Sequence, residues 1–184
     1  MHRGVRSWEE RRKWQNPEEI LSRAGVRAGS TFLDIGCGDG FFAIPAARMV
    51  GEGGKVCGLD IDADAIDELR ERAAQEGLGA TIHLRVGPAE EIVLCDHCAD
   101  TLFFGIDLHD FQDQRRVLRN ARKMLKPAGR LVNLDWKKEE MPIGPPYHIR
   151  FSEEEAARLL EEAGFRVEIL EPSGQYHYLM IARP

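Results

Sequence analysis

The residues with the clearest chemical potential form a glycine-rich turn that is followed by a carboxylate. Gly36, Gly38 and Gly40 come directly after the apolar run Thr31–Ile35, and Asp60 stands twenty positions beyond the last of them. Glycines let the main chain turn tightly and let a ligand approach it closely, and a helix that begins there offers unpaired N–H groups. A carboxylate at the end of the next strand can accept both hydroxyls of a ribose. The pattern therefore predicts a site for an adenosine-containing ligand.

The spacing of the glycines distinguishes between two kinds of adenosine cofactor. The dinucleotide fingerprint is G-x-G-x-x-G/A, whereas this chain has G-x-G-x-G and places Phe41 where the third fingerprint glycine would stand. A phenyl ring there opposes the close contact of helix and strand that the fingerprint needs. Asp34 lies at the end of the preceding strand, and a pyrophosphate gains nothing from a nearby negative charge. A positively charged sulfur with an amino acid moiety tolerates or uses that carboxylate, so the turn favours a sulfonium cofactor.

The chain around this turn alternates short apolar runs with helical stretches. Strand–helix alternation at a spacing of roughly 25 residues is typical of a parallel sheet with helices on both faces. Only Glu171–Gln175 separate the last two strands, which is too short for a parallel crossover and indicates an antiparallel hairpin. We predict an α/β fold with a Rossmann-like, doubly wound, mostly parallel seven-stranded sheet and an antiparallel C-terminal hairpin. The predicted strands are Thr31–Ile35, Lys55–Asp60, Thr81–Val86, Thr101–Ile106, Arg130–Asp135, Phe165–Leu170 and Tyr176–Arg183. The predicted helices are Phe41–Val50, Ala63–Glu76, Gln112–Leu125, which Lys126–Gly129 terminates, and one from the N-cap Ser152 to Gly164.

Length and composition limit the classes of protein to which the chain can belong. With 184 residues, 43% of them hydrophobic, it has the size and apolar content of a single domain over residues 1–184. The net charge of −6 disfavours nucleic acid as a partner. The longest run without Asp, Glu, Lys or Arg is Pro172–Ala182, which is too short to span a bilayer. Charged residues throughout Met1–Trp14 argue against a secretory signal, so we expect a cytoplasmic protein.

The cysteines are too few for a scaffold built on disulfides, and in a cytoplasmic protein we expect reduced thiols. Cys95-Asp-His-Cys98 has the spacing of half a zinc site, but a second pair at suitable spacing is absent from the sequence. We therefore predict a surface loop with free thiols. A metal held by Cys95, Cys98, His97 and a distant histidine is the alternative. Cys37, inside the glycine turn, has no predicted reactive role.

From about Glu19 to Arg183 the sequence resembles the class I S-adenosylmethionine-dependent methyltransferases. Their motif acidic-x-G-x-G-x-G matches the segment from Asp34 to Gly40, and their acidic residue after the second strand matches Asp60. Three further segments match in order, namely Gly87–Ile92, Ala99–Ile106 and Met124–Val132. In its length and in the residues of these motifs, the chain is most similar to the small-molecule methyltransferases of the quinone-biosynthesis type. The resemblance implies S-adenosylmethionine as cofactor and a small molecule as methyl acceptor.

The resemblance also implies which residues hold the cofactor. The loop on the adenine side often carries Asp after its glycine, whereas this chain has Pro88, which cannot donate or accept through its side chain. The backbone of Ala89 or the side chain of Glu90 would then bind the adenine amino group, and Ile61 would pack on the adenine face. Asp107 would lie near the methionine end of the cofactor. The implied cofactor-binding residues are Asp34, Gly36, Cys37, Gly38, Gly40, Asp60, Ile61, Ala89, Glu90, Gly105 and Asp107.

The acceptor is expected at the carboxyl ends of the strands, where ligands of open α/β sheets bind. Asp107 and His109 follow the fourth predicted strand and are the catalytic candidates. Imidazole titrates in the range that a general base needs, although His109 could equally hydrogen-bond a nearby loop. The candidates for contact with the acceptor are Asp110, Asp135, Tyr147 and His148. The last two stand in Met141–His148, which a plain connector would explain nearly as well.

Other interpretations remain open at this point. Residues 1–18 contain a basic segment, Arg3–Lys13. This segment is either a solvated helix face or part of a cap that closes the cofactor site, in which Trp8 or Trp14 would cover apolar surface. A nicotinamide-dependent oxidoreductase is the alternative enzyme class, and a non-catalytic cofactor-binding subunit of a larger complex is the alternative outside catalysis. No sequence pattern indicates an oligomeric state.

Overall fold

The computed structural model describes residues 7–184, so Arg3 and Arg6 of the proposed cap lie outside the described residues. The helices are α1 (Trp8–Arg12), α2 (Pro17–Arg23), α3 (Ala43–Val50), α4 (Ala63–Gln75), α5 (Gln114–Met124) and α6 (Glu153–Glu162). The strands are β1 (Thr31–Ile35), β2 (Lys55–Asp60), β3 (Ile82–Val86), β4 (Ala99–Gly105), β5 (Leu125–Trp136), β6 (Arg166–Ser173) and β7 (His177–Arg183). Short 3-10 turns occupy Leu108–Asp110 and Tyr147–Ile149. Among residues 7–184, none of the helices combines the length and apolar composition needed to cross a bilayer.

The seven strands form one sheet in the order β3-β2-β1-β4-β5-β7-β6. The first five strands pair in parallel, whereas β7 runs antiparallel between β5 and β6. The strand order reverses between β1 and β4, which is the place where such sheets bind ligands. The predicted fold class and the terminal hairpin are both confirmed.

The sheet separates two apolar layers, and successive side chains of β1 point into opposite layers. Phe32 faces the layer formed with α2, α3 and α4, while its neighbour Leu33 faces the layer formed with α5 and α6. Both side chains are fully buried. A strand covered on both faces is apolar at successive positions, as Phe32 and Leu33 are, and the one buried polar residue of β1 is Asp34 near its carboxyl end.

Several element boundaries differ from the prediction, most of them by one to three residues, and two of these differences have a clear physical cause. Helix α3 begins at Ala43, because Phe41 and Phe42 are buried within the turn itself and extend the apolar pattern without being helical. Lys126–Gly129, predicted to be a terminator after α5, instead belongs to the extended β5, whose pairing with β4 shifts register there. The predicted N-cap at Ser152 is confirmed, and it forms a reciprocal capping box with Glu155.

The prediction of free thiols at Cys95 and Cys98 is wrong, because the structure joins them in a disulfide. The loop that carries them caps the end of α5: His97 and Cys98 donate backbone N–H groups to the carbonyls of Lys123 and Met124. This fold of the loop holds the two Cα atoms 6.0 Å apart, within the range that a disulfide requires. The bond leaves neither sulfur as a thiolate, so the alternative metal site on these cysteines is not formed. Among residues 7–184 no cluster of three or more metal-ligating side chains occurs, and Cys37 and Cys57 are free and buried.

Candidate active site

A cavity of about 490 Å³ opens at the carboxyl ends of β1, β2 and β4, where the strand order reverses. The glycine turn, the end of β2 and the turn after β4 form its floor, and α1 and the loop after β5 form its sides. A second depression, of about 530 Å³, lies between α5 and α6 and is lined mainly by arginines and Lys123. It is remote from the strand ends, so the first cavity is the candidate active site.

The glycine turn is held against the end of β2 by main-chain and carboxylate contacts. Gly36 donates its N–H to the carbonyl of Leu59 at 2.7 Å and has φ of +81°. The N–H of Gly38 donates to Oδ2 of Asp60 at 2.7 Å, and Oδ1 of Asp60 accepts from the N–H of Asp62. These bonds fix the orientation of the Asp60 carboxylate at the cavity wall.

Gly40 serves packing instead of lining the cavity. A Cβ at Gly40 would lie 2.3 Å from Cδ1 of Leu69 on α4, so the absence of a side chain lets α4 approach the turn. At Gly36 a Cβ would lie 2.7 Å from the carboxyl of Asp107. The first glycine of the motif thus allows Asp107 to sit directly over the turn.

Two carboxyl groups at the cavity have buried oxygens without hydrogen-bond partners. Both oxygens of Asp34 and Oδ2 of Asp107 lack a partner among residues 7–184. Burial, and next the negative charge of Asp60, raise the pKa of Asp34 to about 7. Burial also raises the pKa of Asp107, and the charges of Asp60 and Asp34 add to that effect. Buried carboxyls without partners are costly, so this pair suits a ligand that brings positive charge and N–H donors.

The N-terminal helix α1 places a cation opposite these carboxyl groups. The guanidinium of Arg11 lies 3.9 Å from the ring centroid of Phe41 and lines the cavity. Burial lowers the pKa of Arg11, and the carboxyls of Asp107, Asp39 and Asp34 oppose that shift. Trp8 anchors the helix by donating Nε1–H to Oδ2 of Asp39 at 2.7 Å. Sequence reasoning identified this segment but not the position of Arg11, because the contact depends on how α1 folds back over the turn.

His109 and Asp135, predicted separately, meet as a pair. Nδ1 of His109 lies 2.8 Å from Oδ1 of Asp135, which also accepts the N–H of Trp136. The side chains are 3% and 1% exposed. Burial opposes the charged imidazole, but the hydrogen bond and charge of Asp135, with the charge of Asp110, outweigh it and raise the pKa of His109.

The residues predicted on the adenine side lie beyond the cavity lining. Asn120 donates its amide to the carbonyls of Ala89 and Glu90, at 3.1 and 2.9 Å. The Glu90 carboxylate accepts the backbone N–H of Gln112 at 3.0 Å. Ile61 follows Asp60 directly and is 67% exposed. The predicted cofactor residues that do line the cavity are Asp34, Gly36, Cys37, Gly38, Asp60, Gly105 and Asp107.

The loop after β5 reaches the cavity through residues that the sequence did not single out. Gly144 and Pro145 line the cavity, whereas Tyr147 and His148 are exposed and lie outside its lining. Arg150, nearly fully buried, holds this loop by donating to the carbonyls of Pro145, Ile143, Glu139 and Lys137. A lone arginine in a connector gives no sequence signal for such a role.

Aromatic side chains form the apolar part of the cavity wall. Trp14, Trp136 and Phe42 line it, and the ring of His177 lies under the two tryptophans with centroids 5.3 and 4.3 Å away. Burial, with the charges of Arg11 and Lys137, lowers the pKa of His177 to about 3, so its ring is neutral and packs as an aromatic group. The cavity therefore combines a charged end at the glycine turn with an apolar aromatic end.

Comparisons with known proteins agree with this geometry. The model of the ubiE/COQ5 methyltransferase family matches residues 1–154. A ubiquinone/menaquinone biosynthesis C-methyltransferase UbiE of Hahella chejuensis is 32% identical over 123 residues, which cover 67% of this chain and 49% of that protein. A demethylmenaquinone methyltransferase of Bacillus velezensis is 29% identical over 137 residues, covering 74% and 58%. The crystal structure of a SAM-dependent methyltransferase from Aquifex aeolicus superposes with a TM-score of 0.89 at 32% identity, covering 94% of this chain and 92% of that one. The chain thus spans about half the length of the curated relatives it matches.

Proposed function

Because this chain belongs to the ubiE/COQ5 methyltransferase family, we propose that it transfers a methyl group from S-adenosylmethionine to a small-molecule acceptor of the quinone-biosynthesis type. The observation that carries the proposal is the charge pattern at the glycine turn. Among residues 7–184, both oxygens of the buried Asp34 and the buried Oδ2 of Asp107 lack hydrogen-bond partners, and both residues line the same cavity as the guanidinium of Arg11. A zwitterionic amino acid moiety next to a positive sulfur complements that pattern, whereas a diphosphate does not.

The residues at the turn would each take one part of the cofactor. Asp34 and Asp107 would accept N–H donors of its ammonium group, and Arg11 would donate to its carboxylate. Asp60, already oriented by the N–H groups of Gly38 and Asp62, would accept the ribose hydroxyls. When bound, S-adenosylmethionine supplies a methyl group on a positively charged sulfur. The protein contributes alignment of the acceptor with that methyl group and exclusion of water.

The aromatic end of the cavity supports an apolar ring as acceptor. Trp14, Trp136 and Phe42 present flat apolar surfaces against which a planar ring can pack. The names of the Hahella and Bacillus relatives point to quinone precursors. The catalytic candidates Asp107 and His109 and the acceptor-contact candidate Asp110 line this cavity, while Asp135 is hydrogen-bonded to His109.

The N-terminal segment is proposed as a cap over the cofactor within one domain of residues 1–184. Arg11 stacks on Phe41 of the turn, and Trp8 bonds to Asp39 in the same turn, so α1 covers the charged end of the cavity. Arg12 provides a matched control on the same helix, because its guanidinium pairs with exposed Glu18, lies 6.0 Å from the Phe41 ring centroid and does not line the cavity.

The role of Arg11 has a direct test in calorimetry with two ligands. Arg11→Ala is expected to weaken binding of S-adenosylhomocysteine roughly 10- to 100-fold, since a charge-assisted hydrogen bond contributes about 1.5–3 kcal/mol. Binding of methylthioadenosine, which lacks the amino acid moiety, should change little. Arg12→Ala should leave both affinities unchanged. Equal losses for both ligands, or no loss for either, would contradict the proposed contact.

The two alternative functions have no support from the comparisons, whose relatives are named methyltransferases. The decisive assay for activity incubates the protein with methyl-labelled S-adenosylmethionine and a demethylmenaquinol. We expect label in the acceptor together with an equal amount of S-adenosylhomocysteine. Cofactor binding without transfer, either to that acceptor or to any component of a cell extract, would favour a non-catalytic subunit. The cytoplasmic location stays a prediction from the sequence.

A further inference from the structure

We infer that His109 is the general base that takes a proton from the acceptor, and that Asp135 is a positioning residue that sets the tautomer and basicity of His109. The inference rests on the proposed function, because it concerns the same cavity. It goes further by restricting the acceptors to compounds that must lose a proton in order to be methylated.

The geometry of the pair assigns a different task to each ring nitrogen. Nδ1 of His109 lies 2.8 Å from Oδ1 of Asp135, so Nδ1 carries the proton and donates it to the carboxylate. Nε2 lies on the other side of the ring, 3.6 Å from Oδ1 of Asp110, and both His109 and Asp110 line the cavity. The lone pair of a neutral His109 is therefore on Nε2, at the cavity side.

The position of Asp135 is not explained by packing alone. Its side chain is 1% exposed, and Oδ2 has no hydrogen-bond partner among residues 7–184. A buried carboxylate is costly unless it meets a positive charge. His109 meets that need only when it is protonated, so the carboxylate favours the imidazolium that proton uptake creates.

The proton and electron balance of the step is simple. The acceptor's proton passes to Nε2 of His109 and leaves from the imidazolium to water. For a hydroquinone methylated at carbon, this proton comes from a hydroxyl group, whose O–H electron pair becomes the second bond of a carbonyl while a ring C=C pair forms the new bond to the methyl carbon. The hydrogen on that ring carbon then leaves as a proton to water, and its electron pair restores the aromatic ring. The pair of the broken sulfur–methyl bond stays on sulfur, which becomes a neutral thioether.

The charges around His109 determine the direction of its pH dependence. Asp135 on β5 and Asp110 on the same turn favour the imidazolium, while Arg150 and burial disfavour it, with a net rise in pKa. A general base must be unprotonated to act, so kcat should rise with pH as His109 loses its proton. This rising limb of the pH–rate profile should lie at higher pH than the titration of a free imidazole. Removing the charge of Asp135 should move that limb to lower pH.

The experiment measures kcat against pH for three variants, together with calorimetry of S-adenosylhomocysteine. His109→Gln should lower kcat about 10²- to 10⁴-fold and abolish the acid limb. Asp135→Asn should lower kcat and shift the limb to lower pH, which a merely structural role would not do. His83→Gln, on the exposed side of β3, is the control and should match the wild type. All variants should bind S-adenosylhomocysteine as the wild type does. An acceptor with a more acidic proton should reduce the penalty of His109→Gln.

The failures of the two proposals are distinguishable. If the wild type does not bind S-adenosylhomocysteine, the proposed function fails and this inference falls with it. If binding and methylation occur but His109→Gln keeps the acid limb and the rate, only the base assignment is overturned. Should that variant not fold, ¹⁵N-histidine NMR of the wild-type complex decides the matter. A neutral ring protonated at Nδ1 supports the assignment, and one protonated at Nε2 overturns it.

Discussion

A single methyl group at Gly36 is expected to disable the cofactor site, because of what lies over that glycine. The Cβ of an alanine there would be 2.7 Å from both Cγ and Oδ2 of Asp107, and 2.9 Å from its Cβ. Real Cβ contacts are longer, so Asp107 must move by several tenths of an ångström. Asp107 is half-buried in the turn after β4 with its Oδ2 buried, so its carboxyl has little freedom to move without leaving its place in the cavity.

The effect of Gly36→Ala has two parts of different origin. The backbone has φ of +81°, a conformation that costs an alanine about 1–2 kcal/mol. In a chain of this length, that loss lowers Tm by roughly 2–8 °C. The second part is the displaced carboxylate, whose lost contact to the cofactor ammonium is expected to weaken binding roughly 10- to 100-fold.

Gly29→Ala separates the two parts. Gly29 has a similar φ of +77°, but a Cβ there would meet nothing within 4 Å, and it lies outside the cavity. It should show the same fall in Tm with unchanged affinity for S-adenosylhomocysteine. Thermal denaturation and calorimetry of both variants test this. Equal affinities for the two variants would refute the steric role assigned to Asp107 over Gly36.

Three further outcomes are expected. Because the folded state raises the pKa of Asp34 to about 7, its contribution to stability is lost as the pH rises from about 4 to above 7. Urea denaturation of the cofactor-free protein should therefore show a pH dependence that Asp34→Asn flattens, and an unchanged profile would contradict this. Reduction of the Cys95–Cys98 disulfide, which closes a short loop, should cost about 2 kcal/mol and lower Tm by roughly 4–8 °C; four reactive thiols in the unfolded, unreduced protein would disprove the bond. Ser152→Ala removes the capping box with Glu155 and should cost about 1 kcal/mol without changing cofactor affinity, and a change in that affinity would link α6 to the site.

The sequence predicts the fold well where one physical signal dominates. The strand Thr31–Ile35 is bounded correctly because its apolar residues Phe32, Leu33 and Ile35 are covered on both faces and glycine follows directly. The antiparallel hairpin follows from the length of its link alone. The start of α3 is misplaced at Phe41 because burial in a turn and burial on a helix leave the same apolar pattern.

The candidate site is only partly readable from the sequence, because side-chain contacts depend on loop conformation. The strand ends predict that His109 and Asp135 lie near each other, but not that their atoms meet at 2.8 Å. Arg11 reaches the cavity only through the fold of α1 over Phe41. The disulfide was not predicted because a cytoplasmic location was assumed and cysteines there are usually reduced. Whether Cys95 and Cys98 pair also depends on how their loop caps α5, which the sequence does not show.

The central claim is that the glycine turn and Asp60 bind an adenosyl sulfonium cofactor and not a diphosphate. The most direct measurement is calorimetric titration of the wild-type protein with S-adenosylhomocysteine, with NADH as the competing ligand. We expect one S-adenosylhomocysteine to bind per chain and NADH not to displace it. No heat at millimolar S-adenosylhomocysteine, or its displacement by NADH, would contradict the account.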